Sequence, residues 1–129
     1  MLEQAGVAER CRIERGDFFQ AVPEGGDTYV LRSIVHDWDD ERAQVILEQC
    51  RRAMPESGRL LVVERVVGTG YRAGLSALYG DMEMLVNVGG RERTEAEYRA
   101  LFTHAGFRLT RIVPLEDAAS YSVIEGAPA

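Results

Sequence analysis

The chain has 129 residues, 46 % apolar and 28 % charged, the balance of a single globular domain able to bury a core. Its formal charge of −6 excludes a non-specific nucleic-acid binder, which needs a basic face to neutralise phosphates. No run approaches the roughly 18 consecutive apolar residues of a membrane span, and two cysteines, Cys11 and Cys50, are too few for a disulfide framework and read as reduced thiols of a cytoplasmic protein.

In chain order, residues 1–9 read as the last turns of a helix, with Leu2, Ala5 and Val7 on one side and a stop near Gly6. Residues 11–14 predict a short strand closed by Gly16-Asp17. Residues 18–23 form a loop with apolar anchors, and Glu24-Gly25-Gly26-Asp27 is a turn by composition. Residues 28–35 predict a strand apolar on both faces, the pattern of a buried parallel strand. It delivers a lone imidazole, His36, at its carboxyl end, and open α/β sheets place their ligands in the crevice outside such ends.

Asp39 or Asp40 can cap the next helix by accepting a backbone N–H bond. There Ala43, Ile46, Leu47, Cys50 and Met54 share one face, and Pro55 and Gly58 end the pattern. Leu60-Leu61-Val62-Val63 is a second strand, so strand, helix and strand make a parallel βαβ crossover with Glu64 at its carboxyl end. A glycine-rich link, residues 68–74, leads to a helical stripe of Leu75, Leu78, Tyr79, Met82, Leu85 and Val86, stopped by Gly89-Gly90. Thr94 and Glu97 make a capping box, whose helix carries Tyr98, Leu101, Phe102 and Ala105 inward and closes on a left-handed Gly106. Residues 107–113 and 120–124 predict two strands whose short connection makes them antiparallel.

Four blocks now stand in register: Gly16-Asp17-Phe18-Phe19, His36-Asp37-Trp38, Val63-Glu64 and Gly89-Gly90-Arg91-Glu92-Arg93-Thr94. Over essentially the whole chain they resemble the C-terminal part of the S-adenosylmethionine-dependent O-methyltransferases of the plant caffeate and bacterial polyketide-tailoring type. The resemblance implies an α/β fold, the C-terminal portion of a Rossmann-like class I methyltransferase sheet, mostly parallel with an antiparallel C-terminal edge. Residues 1–129 would then be a partial catalytic domain. It further implies S-adenosyl-L-methionine as cofactor and methylation of a small hydroxylated acceptor, aromatic or polyketide-like, in secondary metabolism. The parent enzyme it implies is a homodimer.

Carried over by position, His36 matches the base that deprotonates the acceptor, and Glu64 and Glu92 match the two carboxylates that bracket it. Asp17 and Phe18 match residues at the adenine end of the cofactor, and Arg32 stands where the family usually has a lysine near it. Met84 and Asn87 fall on the helix that lines the acceptor pocket in relatives. The family's glycine-rich loop after its first strand, the acid after its second and its N-terminal helical domain have no counterpart here. The chain is therefore expected to begin inside the helix before the fold's third strand. Lacking a neighbour, residues 1–16 are expected to lie displaced or paired with another molecule.

Methyl transfer from a sulfonium needs an oriented oxygen nucleophile and a base, and histidine, with an ordinary pKa near 6.5, is largely neutral at working pH. A carboxylate on its far nitrogen fixes the tautomer and stabilises the cation that forms. Each residue also has a plainer reading. His36 suits a backbone-bonded strand end, Glu64 a solvated charge, and Glu92 an ion pair with Arg91 or Arg93. Trp38 suits core packing, and Phe18 and Phe19 divide between core and adenine stacking. Asp37, Asp39 and Asp40 beside His36 hint at a cation, but capping accounts for one of them and no metal is expected. The rival to an enzyme is a non-catalytic fragment, or a module that self-associates through an exposed sheet edge. A metal-dependent hydrolase built on the acid cluster is a third reading.

Overall fold

The computed structural model describes residues 4, 6–67, 92–116 and 121–129. Its elements are β1 (Thr28–Arg32), α1 (Asp40–Ala53), β2 (Arg59–Val67), β3 (Arg93–Thr94), α2 (Glu95–His104), β4 (Phe107–Pro114) and β5 (Tyr121–Pro128). The sheet runs β1-β2-β5-β4, with β3 paired to the far end of β2. β1 and β2 are parallel, from Thr28 opposite Arg59 to Arg32 opposite Val63, joined by α1 as the βαβ pattern requires. β5 lies antiparallel to both β2 and β4, so the sheet is mixed, as expected, and β5 is enclosed by neighbours on both edges.

Both helices pack on one face. α1 buries Ala43, Ile46, Leu47 and Cys50, and α2 buries Tyr98, Leu101 and Phe102. Leu60, Val62, Val66 and Ile124 meet them from the sheet, each such side chain contributing about 1.5–3 kcal/mol when fully buried. Asp39 is the residue that caps α1, accepting from the Arg42 N–H at 2.9 Å. The Thr94–Glu97 capping box forms at α2, and Gly106 closes it at φ 91°. Gly126 is a close approach: a Cβ there would lie 2.8 Å from the buried Phe102 ring.

Four boundaries differ from the sequence reading, among them that of β5, expected over 120–124 and found to run to Pro128. β1 ends at Arg32, because Ser33 adopts φ 55° and turns the chain into a 3-10 turn, Val35–Asp37. His36 therefore rides on that turn and not on the strand end. β2 runs on to Val67, because β5 and β3 supply partners beyond Val63, and Glu64 sits inside the strand. Residues 11–14 pair with nothing in the sheet, and Ile13 is 84 % exposed; the chain nearby forms only a 3-10 turn, Ala8–Arg10. A strand needs a neighbour for its donors, and none of the described strands lies beside this segment. The helical stripe from Leu75 to Val86 lies outside the described residues. Among those described, no helix is long and apolar enough to cross a membrane.

Candidate active site

β2 alternates strictly, with Leu60, Val62, Glu64 and Val66 on the buried face. Glu64 is thus a fully buried carboxylate in an apolar row, a placement that demands partners. It finds them on the turn after β1. The His36 backbone N–H donates to Glu64 Oε1 at 3.2 Å, and His36 Nδ1 lies 2.9 Å from Oε2. The parallel register of β3, Val66 opposite Arg93, brings Glu92 to the level of Arg65. From there Glu92 Oε1 lies 3.6 Å from the same Nδ1 and 4.0 Å from Arg65 Nη1.

The structure therefore gathers the three residues singled out as catalytic, from three separate stretches of chain. The other ring nitrogen, Nε2, faces Asp37 Oδ1 at 3.3 Å, and the Asp37 side chain is half-exposed. The Nδ1 contact with Glu64, short but bent away from linear, is the largest cause of a raised His36 pKa, followed by that with Glu92. Desolvation pulls the other way and loses, so the value is pushed up to about 10. The two carboxylates thus favour the protonated ring over the neutral base that its ordinary value suggests. Its charge and that of Arg65 balance the two buried carboxylates.

Arg93 was read only as an ion-pair partner for Glu92. It instead lies wholly buried beneath the His36 turn, donating to Asp40 Oδ1, the Val35 carbonyl and the Trp38 carbonyl at 2.9, 3.1 and 2.8 Å. In the sequence it stands within the Gly89–Thr94 block beside Glu92, which does not announce a contact with the His36 turn. Of the three acids that hinted at a cation, Asp39 caps the helix, Asp40 accepts from Arg93 and Asp37 faces His36 Nε2.

Asp17 and Phe18 line a groove of about 560 Å3 beside β1, with Val22, Tyr29 and Leu31 among its walls. Asp17 Oδ1 accepts the Phe19 N–H at 2.9 Å and shapes the turn, while Phe19 packs edge-on against Trp38 at 4.8 Å. Phe18 is left facing the groove. The slot is mostly apolar and carries the carboxylates of Glu14 and Asp17 and the Arg15 guanidinium at its rim. Arg32 does not line it: its guanidinium lies over the Tyr121 ring, 5.6 Å from the centroid, with Arg65 over the same ring at 5.2 Å. Ser33 Oγ and Tyr121 Oη share a 2.9 Å hydrogen bond that ties the turn to β5. Met84 and Asn87 lie outside the described residues.

Residues 1–108 match the O-methyltransferase domain family. The chain is similar to the O-demethylpuromycin-O-methyltransferase of Streptomyces alboniger, 49 % identical over 98 % of this chain and 34 % of that protein. The solved structure of LaPhzM superposes with a TM-score of 0.90 at 44 % identity, over 99 % of this chain and 38 % of that one. NcsB1, solved with S-adenosylmethionine and 2-hydroxy-5-methyl naphthoic acid, gives a TM-score of 0.86 at 33 % identity, over 99 % of this chain and 36 % of that one. The chain spans about a third of the length of the curated relatives it matches.

Proposed function

The chain belongs to the O-methyltransferase domain family, and from that premise we propose that it carries the acceptor-activating part of an S-adenosylmethionine-dependent O-methyltransferase. The supporting observation is one imidazole held between two buried carboxylates, with its other nitrogen turned outward. Asp17 and Phe18 would hold the cofactor, which when bound supplies an electrophilic methyl group on a sulfonium, and Arg32, which does not line their groove, is kept as a cofactor contact on the resemblance alone. The acceptor is a small phenol or polyketide-like hydroxyl compound, as in relatives named for phenazine and mitomycin methylation. Met84 and Asn87 are kept as acceptor contacts on the resemblance alone, as is a homodimeric parent.

The proton step follows from the charge state of the ring. An imidazolium takes no proton, so the acceptor docks at Nε2 in place of Asp37 and reacts as an oxyanion against it. A phenol ionises near 10, close to where the two carboxylates hold His36. Both groups are therefore protonated at neutral pH, and one proton leaves to bulk water as the acceptor docks, which leaves the phenolate–imidazolium pair. Its net protonation equals that of a phenol beside a neutral imidazole, the arrangement of a general base. Glu64 and Glu92 keep the positive charge on the ring while the oxygen becomes a nucleophile.

Replacing His36 by Gln should lower turnover by about 10²-fold or more, while affinity for S-adenosylhomocysteine, by titration calorimetry, changes less than about threefold. An active variant would sink the assignment. A self-associating module remains the second reading because β1 has one partner, β2, among the described strands, and its Val30 is 58 % exposed.

A further inference from the structure

Arg93 holds a full positive charge at zero exposure, which is costly unless every face of the guanidinium is answered. Its acceptors are not scattered. Val35 and Trp38, whose carbonyls receive Nη1 and Nη2, are the residues on either side of His36-Asp37. Nε reaches Asp40, the first residue of α1. The planar fork thus spans the turn from its entry to its exit and ties it to the helix behind. The turn's own bonds are few, Asp37 N–H to Ile34 O and Trp38 N–H to Val35 O at 3.1 and 3.3 Å. A lone 3-10 turn is weak by itself. Arg93 is in turn fixed by pairing with Val66, two residues beyond Glu64 on β2. Adjacent residues therefore grip one histidine in two ways: Glu92 meets its ring, and Arg93 holds the backbone around it.

We propose that Arg93 is the positioning residue of this site, setting the turn so that the His36 ring meets Glu64 and Glu92. The inference deepens the reading of His36 as the acceptor-activating group and rests on it, but its test does not depend on turnover. Among the described residues, the charged groups facing the ring are Glu64 from β2, Glu92 ahead of β3 and Asp37 from the turn itself, with Arg65 behind Glu92. Arg93→Lys keeps the charge and removes the fork, so a change in His36 reports geometry.

The chain has two histidines, His36 and His104, and Arg93→Lys and the unsubstituted protein can be titrated by NMR with His36→Asn assigning the signals. The expected result is a His36 proton affinity lowered at least tenfold in Arg93→Lys, with His104 unmoved. A folded Arg93→Lys whose His36 titrates unchanged overturns the proposal. Should that variant not fold, amide exchange in the unsubstituted chain decides. The clamp requires Asp37 and Trp38 amides to exchange as slowly as those of β2, and fast exchange there overturns it. A normal His36 response with an active His36→Gln enzyme would instead fail the catalytic reading and leave the clamp standing.

Discussion

Two carboxylates converging on one buried ring make the charge of His36 a property of folding as well as of catalysis. Its folded pKa, about 10, lies above the unfolded value near 6.5. The folded chain therefore holds a proton that the unfolded chain releases, and stability falls as pH rises between those values. The contribution is complete below about 6.5 and gone once pH passes the folded value. Between pH 7 and 9, urea unfolding should show a loss on the order of 1 kcal/mol per pH unit, and Glu64→Gln should flatten that slope. An unchanged slope in the variant would mean that Glu64 does not hold the proton. At this scale the motif blocks made His36, Glu64 and Glu92 legible, because those residue types have few alternative reasons to recur in that order. Arg93, Ser33 and Tyr121 were not legible: a fork across a turn, a left-handed serine and a tyrosine between two arginines exist only once distant segments meet.

The elements that position these residues vary in how clearly the sequence announced them. α1 and α2 follow from periodicity and caps, which are local properties, and both end within a residue or two of the expected points. Strand ends depend on neighbours. β2 passes its two charged residues because β5 pairs with it as far as Arg65 opposite Tyr121, and the burial of Glu64 is answered by His36. β5 likewise runs to Pro128, with Gly126 placed where Phe102 leaves no room for a side chain. Gly126→Ala should destabilise by about 1–3 kcal/mol in urea unfolding, through overpacking against that ring. Gly16→Ala, with nothing within 4 Å of its Cβ, should stay within about 0.5 kcal/mol. Equal effects would mean that α2 rides free of β5.

Across the whole molecule, the helices cover one face of the sheet, and the site gathers residues from β2, the turn after β1 and the approach to β3. The groove of Asp17 and Phe18 is a separate feature beside β1. It offers two carboxylates, Glu14 and Asp17, and an apolar wall, and the chain spans about a third of the length of its curated relatives. Titration of S-adenosylhomocysteine into the 129-residue chain is therefore expected to give a Kd no tighter than about 100 μM, near 5 kcal/mol of binding. Low-micromolar binding would show that the groove and its surroundings hold the cofactor unaided. By itself the sequence determined the family, the α/β class, the two helices with their caps and the three residues of the cluster, because periodicity, capping chemistry and ordered motifs are written along the chain. The tertiary structure alone decided that His36 sits between two buried carboxylates that favour its protonated form, that Glu64 lies within a strand, that Arg32 stands apart from Asp17 and Phe18, and that Arg93 spans the turn. Those depend on burial and on contacts between residues far apart in sequence, where a few ångströms decide whether a charge is solvated or shared.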